Sequence, residues 1–136
     1  MSFKKVLIVG DAGVGKTNLI NAIFNKPFNK QYIATNRLTV YESGQQEIYD
    51  WPGQNKFNIT SFPEDIDAYI IVYDVTNSLS YESVSFWKTK KEEFYDAKVP
   101  TIIIGNKIDM GRQRKINDSG SLNISVKKKK NIPTLC

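Results

Sequence analysis

The sequence is poor in cysteine and has no long apolar segment. Its single cysteine, Cys136, cannot form a disulfide within the chain, so the fold does not depend on an oxidising compartment. The C-a-a-X arrangement used for prenylation is absent, and we read Cys136 as an exposed thiol. The longest apolar stretches, 68–75 and 99–105, are far shorter than the roughly 20 residues of a membrane helix. These absences predict a cytoplasmic or nuclear protein without a membrane span.

The length and the charge narrow the class of protein further. A chain of 136 residues, 40% hydrophobic and 12% aromatic, fits one folded domain over residues 1–136. The formal net charge is +5, with basic clusters at 112–115 and 127–130. Such clusters are usually solvated surface, so we expect a monomer and no nucleic-acid partner. Residues 111–136 are polar, lysine-rich and poorly patterned, and we expect them to be irregular.

Hydrophobic patterning predicts alternating strands and helices. The predicted elements are strand 3–9, helix 16–24, hairpin arms 37–42 and 46–50, strand 68–75, helix 80–95 and strand 101–105. The last two strands are continuously apolar, which is typical of a parallel sheet covered on both faces. We therefore predict an α/β fold: a doubly wound, mostly parallel sheet with helices on both faces. Ligands of such sheets bind at the carboxyl ends of the strands.

A glycine-rich segment lies between the first predicted strand and the first predicted helix. It reads Gly10-Asp11-Ala12-Gly13-Val14-Gly15-Lys16-Thr17 and matches the phosphate-binding loop G-x-x-x-x-G-K-[ST]. The glycines let backbone N–H groups turn toward phosphates, and the helix N-terminus adds a partial positive charge. We expect Lys16 to reach the β- and γ-phosphates and Thr17 to place its hydroxyl on Mg²⁺. A plain glycine turn is the alternative, but it leaves the lysine and the threonine unexplained.

A second motif, Asn106-Lys107-Ile108-Asp109, predicts which base is bound. It follows strand 101–105 and therefore emerges at the same sheet edge. Guanine presents N1–H and an exocyclic amine, and the Asp109 carboxylate can accept both hydrogen bonds. Adenine has a lone pair at N1, a mismatch that can reject a base by roughly 10⁴-fold. We predict guanine, with Asn106 tying this loop to the phosphate loop and the Lys107 stem along the base.

With both loops present, the sequence resembles the Ras superfamily of small GTPases. Asp50-Trp51-Pro52-Gly53-Gln54 is similar to the D-x-x-G-Q element of that family. The resemblance implies that Asp50 holds Mg²⁺ through water, that the Gly53 N–H contacts the γ-phosphate and that Gln54 orients the attacking water. It also implies GTP or GDP with Mg²⁺ as the bound groups, and slow hydrolysis without an activating protein.

Three further matches extend the resemblance over nearly the whole chain. Thr35 matches the switch I threonine that caps Mg²⁺ and the γ-phosphate, and Phe28 matches the aromatic residue beside the base. Ser125-Val126-Lys127 resembles the S-A-K loop whose middle N–H meets the guanine oxygen, although a valine replaces the alanine. The implied catalytic residues are Gln54, Lys16 and Thr35, and the implied metal ligands are Thr17, Thr35 and Asp50.

Within the superfamily, three segments look most like Ran, with Rab proteins next. These are residues 28–35, 54–57 and 105–109, the last followed by Arg114 and Lys115. The Ran resemblance implies a role in nucleocytoplasmic or other intracellular transport, with protein regulators, effectors and importin-like partners. The acidic C-terminal tail of that family is missing.

Several departures from the family bear on catalysis. The interswitch hairpin and the C-terminal region look shortened, so the usual final helix is not expected. Trp51-Pro52 replaces threonine-alanine, and because proline restricts its own backbone and that of the residue before it, we expect a stiffer switch II. Ala12 adds a methyl group that obstructs an arginine supplied by an activating protein. Asn55 replaces a glutamate beside the predicted water site.

Two alternatives to a hydrolysing switch stay open on sequence grounds. The chain could be a catalytically weak module that holds guanine nucleotide, or only a regulator, and competes for the partners of another GTPase. It could also be a phosphate-loop nucleotide kinase, although residues 106–109 would then have no role. Gln54 separates the first alternative from a working GTPase.

Overall fold

The protein is an alternating α/β domain in the computed structural model, which describes residues 3–24, 29–33, 38–53, 59, 61–106 and 122–123. Its elements in chain order are β1 (Lys5–Val9), α1 (Lys16–Phe24), β2 (Asn29–Ile33), β3 (Leu38–Ser43), β4 (Gln46–Asp50), β5 (Ala68–Asp74), α2 (Ser78–Phe94), β6 (Thr101–Asn106) and β7 (Leu122–Asn123). Neither helix of the described part is long and apolar enough to cross a membrane.

The strands of the described residues form one sheet in the order β2-β3-β4-β1-β5-β6-β7. Four neighbouring pairs are parallel, from β4–β1 to β6–β7, and the two pairs that involve β3 are antiparallel. Since β1, β4, β5 and β6 run in the same direction, their carboxyl ends lie at one edge of the sheet. The predicted fold class is confirmed, and the predicted motifs follow strands that end at this edge.

The sheet is covered on both faces because successive side chains of its central strands point to opposite sides. In β1, Val6 and Ile8 pack with Leu19 and Ile20 of α1. The intervening residues of β1, Leu7 and Val9, pack in a second core with Val84 and Trp87 of α2. The two helices therefore bury two separate cores, and β1 carries the glycine-rich loop out between them.

The ends of two elements have local causes. A two-residue loop joins β3 and β4, where Gly44 has a φ of 60°, a left-handed conformation that glycine adopts without cost. Helix α2 begins two residues before its predicted start because the Asn77 side chain caps it, accepting hydrogen bonds from the N–H groups of Leu79 and Ser80.

Two strands escaped the sequence prediction. The polar segment Asn29–Ile33 pairs only with β3 at one end of the sheet, so no apolar alternation marks it. The strand β7 has two residues and lies inside the stretch predicted as irregular, where a pairing this short leaves no pattern. The rest of that stretch, 111–121 and 124–136, lies outside the described residues.

Candidate functional site

The glycine-rich loop connects β1 directly to the first turn of α1. The first backbone hydrogen bond of the helix runs from the Leu19 N–H to the Gly15 carbonyl, at 3.0 Å. The N–H groups of the residues before Leu19 therefore have no acceptor inside the helix, as at every helix N-terminus. Together with the helix dipole, this makes the start of α1 suitable for binding an anion.

Glycine is required at two points where the backbone of this loop touches other segments. A Cβ atom at Gly10 would overlap the carbonyl oxygen of Val72 in β5. A Cβ atom at Gly53 would lie 2.5 Å from both the Gly10 carbonyl oxygen and the Ala12 nitrogen, closer than real Cβ contacts. The segment after β4 therefore lies directly on the glycine-rich loop, backbone against backbone.

Lys16 is held over the loop that precedes it. Its ammonium group donates a hydrogen bond to the Gly10 carbonyl oxygen at 3.3 Å. Burial lowers the pKa of Lys16, and the nearby carboxylates of Asp50 and Asp11 oppose that shift. Because its folded-state pKa is depressed, the ammonium is less stable here than in water, and a bound polyanion would stabilise it.

Thr17 and Asp50 bring two hard oxygen ligands together. The Thr17 hydroxyl donates to the Asp50 carboxylate at 3.2 Å, joining the start of α1 to the end of β4. Burial raises the pKa of Asp50, and it outweighs the opposite effects of Lys16 and of the Thr17 hydroxyl. The negative charge of Asp50 is therefore less stable here than in water, and a bound cation would stabilise it. No cluster of three or more carboxylates or cysteines occurs in the part of the chain that the structure describes. Two side-chain oxygens fit Mg²⁺, which keeps waters and shares phosphate oxygens.

An open cavity of about 400 Å³ lies over these groups. It is lined by Ala12, Gly13, Gly15, Lys16, Thr17, Asn18, Thr39, Asp50, Pro52 and Gly53. Asn18 and Thr39 were not singled out by the sequence. The register of the hairpin places Thr39 opposite Asp50, and only a known pairing of β3 with β4 would have identified it.

Asn106 joins the end of β6 to the same loop. Its side-chain amide donates to the Val14 carbonyl oxygen at 3.0 Å, across 92 positions of sequence. This bond is the link between the two loops that the sequence predicted. Asn106 is buried, and its side-chain oxygen has no hydrogen-bond partner among the described residues. An unpartnered buried acceptor of this kind is where a ligand donor would be accommodated.

The remaining predicted site residues cannot be placed. Phe28, Thr35, Gln54, Asn55, Lys107, Asp109, Ser125, Val126 and Lys127 lie outside the described residues. Their roles in nucleotide binding and catalysis therefore remain predictions. The described residues include the glycine-rich loop, Lys16, Thr17 and Asp50, and the bond from Asn106 to that loop.

Trp51, which departs from the family pattern, is anchored in the core on the α2 face. Its ring is buried and meets Phe62 edge to face, with the ring centroids 4.8 Å apart. Its backbone N–H donates to the Ile8 carbonyl at 3.0 Å. The position of Trp51 therefore fixes the start of the segment that brings Gly53 onto the glycine-rich loop.

Asp11 makes contacts that sequence reasoning missed. The Ser83 hydroxyl donates to one carboxylate oxygen of Asp11 at 2.6 Å, and the Trp87 indole N–H donates to the other at 3.4 Å. Asp11 does not line the cavity. The spacing of Ser83 and Trp87, one helical turn apart on α2, was the available signal, but the helix was assigned only to core packing.

Comparison with known proteins identifies relatives over most of the chain. A family model described as the Ras family matches residues 5–133. The Ypt/Rab-type GTPase avaA of Emericella nidulans is 34% identical over 95% of this chain and 70% of its own length. The Ypt/Rab-type GTPase YPT7 of Saccharomyces cerevisiae is 34% identical, with 95% and 69% covered. The Ras-related protein Rab-13 of Canis lupus familiaris is 32% identical, with 89% and 64% covered.

The predicted resemblance to Ran above Rab is not supported. These relatives carry Rab and Ypt names, and they match over most of the chain. The three segments used for the Ran assignment are short and overlap the nucleotide-binding motifs, so they carry little information about subfamily. Importin-like partners, which rested on that assignment, have no support either.

Proposed function

Because the chain belongs to the Ras family of GTPases, which bind GTP and GDP with Mg²⁺, we propose that it is a guanine-nucleotide switch of the Rab type. The observation that carries the proposal is the hydrogen bond between Asn106 and Val14. It joins the strand that leads to the predicted base-reading motif to the loop that carries Lys16 and Thr17. One ligand with a purine and a polyphosphate fits such a pair of loops.

The phosphates are held at the start of α1. Lys16 supplies a positive charge whose burial favours an anionic ligand, and the N–H groups of the first turn, which have no acceptor inside the helix, would supply donors. Thr17 and Asp50 would hold Mg²⁺, which would neutralise phosphate charge. Thr35 is proposed to complete this set.

The base is read by residues that follow β6. Asp109 is proposed to accept the two guanine donors, and Asn106 ties the end of β6 to the phosphate loop through Val14. Phe28, Lys107 and the segment 125–127 are proposed to pack around the base, as the family resemblance implies.

The switching element is the segment after β4. Gly53 lies against Gly10 and Ala12, so its position depends on what the loop holds, and Gln54 is proposed to orient water there. The buried Trp51 ring fixes the preceding residues. We propose slow hydrolysis and a role in intracellular transport with Rab-type regulators and effectors, since the relatives are Rab and Ypt proteins.

Base specificity is tested by competition against a fluorescent GDP analogue in Mg²⁺. GDP and GTP displace it from the unaltered chain, and ATP does not. In Asp109→Asn, the amide presents a donor and an acceptor in place of two acceptors, so xanthosine diphosphate replaces GDP as the preferred competitor. The matched control is Asp65→Asn, an exposed aspartate outside the site, which keeps the preference for GDP. Displacement by ATP, or an unchanged preference in Asp109→Asn, would contradict the proposal.

Hydrolysis separates a switch from a module that only binds. Single-turnover conversion of GTP to GDP is followed in the unaltered chain and in Gln54→Leu, both preloaded with GTP. A slower rate in the variant assigns water positioning to Gln54. Equal rates remove Gln54 from the mechanism and leave the binding module as the better description.

A further inference from the structure

A carboxylate in the middle of a phosphate-binding loop needs an explanation. Asp11 follows Gly10 and precedes Ala12, so a free carboxylate there would repel the phosphates that the loop is proposed to bind. It also lies close enough to Lys16 to affect its pKa. The contacts of the Asp11 carboxylate therefore determine whether its charge weakens phosphate binding by the loop.

Two donors on α2 hold the Asp11 side chain. The Ser83 hydroxyl lies 2.6 Å from one carboxylate oxygen, and the Trp87 indole nitrogen lies 3.4 Å from the other. Hydrogen bonds to a carboxylate are about twice as strong as neutral ones, and they spread its charge away from the loop. The carboxylate is thus drawn to the helix, and Asp11 is not among the residues that line the cavity.

The helix that supplies these donors is itself firmly held. Trp87 is completely buried in the core on the α2 face, and its carbonyl accepts a hydrogen bond from the Tyr69 hydroxyl of β5 at 2.6 Å. Asn77 caps the other end of the helix. The donors to Asp11 are therefore fixed relative to the sheet, and they fix the loop in turn.

The backbone of Asp11 meets the switching segment on the other side. A Cβ atom at Gly53 would lie 2.6 Å from the Asp11 carbonyl carbon. Because Gly53 has no Cβ, its backbone packs closely against that of Asp11, and a displacement of Asp11 away from α2 would break both hydrogen bonds. The loop has little freedom at this residue.

We propose that Ser83 and Trp87 are positioning residues for nucleotide binding: they hold Asp11, and through it the phosphate loop, from the side of α2. The inference rests on the proposed function, since the loop must bind a nucleotide for its position to matter. Neither residue touches the nucleotide. Loss of either donor holds the Asp11 carboxylate less firmly and loosens the loop, so bound nucleotide leaves faster.

The test measures the release of fluorescent GDP from full-length variants in Mg²⁺. Ser83→Ala raises the release rate about 2- to 30-fold, the range seen when residues without ligand contact affect affinity. Ser83→Thr keeps a hydroxyl and releases GDP at close to the unaltered rate. The matched control on the same helix is Ser85→Ala, an exposed serine two residues away, which leaves release unchanged.

A second control separates positioning from general loosening. Tyr95→Phe removes the hydrogen bond from the Tyr95 hydroxyl to the Pro63 carbonyl without altering a donor to Asp11, and it leaves GDP release unchanged while lowering the melting temperature. Faster release in Ser83→Ala alone supports the inference. Unchanged release in Ser83→Ala, or equally fast release in Tyr95→Phe, overturns it while the proposed function stands. Failure of the unaltered chain to bind GDP overturns both.

The contact itself is checked without nucleotide. The indole N–H of Trp87 gives an NMR signal that depends on its acceptor, and Asp11→Asn changes that acceptor from a carboxylate to an amide. The Trp87 signal shifts in Asp11→Asn, while the Trp51 signal serves as the internal reference. A Trp87 signal that does not move shows that the bond is absent and overturns the inference.

Discussion

The two faces of the sheet differ in what their side chains do. Among the described residues, the core on the α1 face is almost entirely aliphatic, with Tyr41 as its one buried aromatic residue. The core on the α2 face contains five buried aromatic residues, namely Trp51, Phe62, Tyr69, Tyr73 and Trp87. The proposed phosphate and metal ligands, Lys16 and Thr17, begin the helix of the aliphatic face.

The polar ends of the aromatic rings explain why the α2 face acts as a scaffold. The Tyr69 hydroxyl donates to the Trp87 carbonyl and the Tyr95 hydroxyl to the Pro63 carbonyl, each at 2.6 Å. Such rings combine large buried area with a directional bond. Aliphatic side chains contribute buried area but no hydrogen bonds. On the α1 face, the polar groups therefore lie at the N-terminus of the helix. We therefore expect substitutions at the glycine-rich loop to change nucleotide binding, and substitutions in the core on the α2 face to change the free energy of unfolding.

The largest expected effect is a loss of nucleotide affinity in Lys16→Met. Removing two charge-assisted hydrogen bonds, one to the β-phosphate and one to the γ-phosphate, weakens GTP binding by roughly 10²–10⁴-fold. Stability changes by less than about 1 kcal/mol, because relief of the buried charge offsets the lost attraction to Asp50. Titration calorimetry and urea unfolding measure the two quantities. Lys88→Met, an exposed lysine on α2, is the matched control, and a large loss of stability in Lys16→Met would break the comparison.

Gly53→Ala is expected to have the next largest effect. The added methyl group meets backbone atoms of Gly10 and Ala12, so the switching segment must move off the glycine-rich loop. GTP binding weakens by about tenfold or more, equivalent to about 1.4 kcal/mol or more of misplaced contacts. Gly44→Ala provides the control: it strains a left-handed turn in the distant hairpin, where a Cβ meets nothing within 4 Å. Equal effects on GTP binding would show that the contact at Gly53 is unimportant.

A smaller effect on the aromatic face is expected from Tyr95→Phe. Loss of the hydrogen bond to the Pro63 carbonyl lowers the free energy of unfolding by about 0.5–1.5 kcal/mol. Nucleotide affinity stays unchanged, because Tyr95 lies at the end of α2 and does not line the site cavity. Urea unfolding and GDP titration measure the two quantities. If Tyr95→Phe changed the affinity for GDP but not the free energy of unfolding, the α2 face would not have the structural role assigned to it.

The smallest effect at neutral pH concerns the ionisation of the tyrosines. Burial raises the pKa of Tyr69 and of Tyr95 well above the ordinary value of 10.0. A phenol with a raised folded-state pKa stabilises the fold fully below pH 10, and this contribution is lost as the pH rises above 10. Tyr69 alone accounts for up to about 1.4 kcal/mol per pH unit. The free energy of unfolding, measured in urea between pH 7 and 11, falls less steeply above pH 10 in Tyr69→Phe than in the unaltered chain. The same dependence on pH in both proteins would contradict the assignment.

The sequence predicted most of the fold for clear physical reasons. Apolar runs mark β1, β5 and β6, and helical spacing of apolar residues marks α1 and α2. The glycine-rich motif predicts the roles of Lys16 and Thr17 from local spacing, and these roles stay predictions. Asn106 was placed correctly against the phosphate loop because parallel strands end at one sheet edge.

The features that escaped prediction depend on long-range register or on single contacts. Strand β2 is polar and has a partner on one side only, so no periodicity marks it. The bonds from Ser83 and Trp87 to Asp11 cross more than 70 residues of sequence. The spacing of Ser83 and Trp87 indicates that they share one face of α2, but it does not indicate that they reach Asp11. The subfamily was misjudged because short motif segments were given more weight than the whole chain.

The most direct test of the account is the identity of the nucleotide that the chain retains. The protein is purified in Mg²⁺ without added nucleotide, and the released small molecules are identified by mass spectrometry before and after chelation of the metal. We predict GDP or GTP at close to one per chain, lost when Mg²⁺ is removed. Retention of ATP or ADP, or an empty chain that stays empty after incubation with GDP and Mg²⁺, would contradict it.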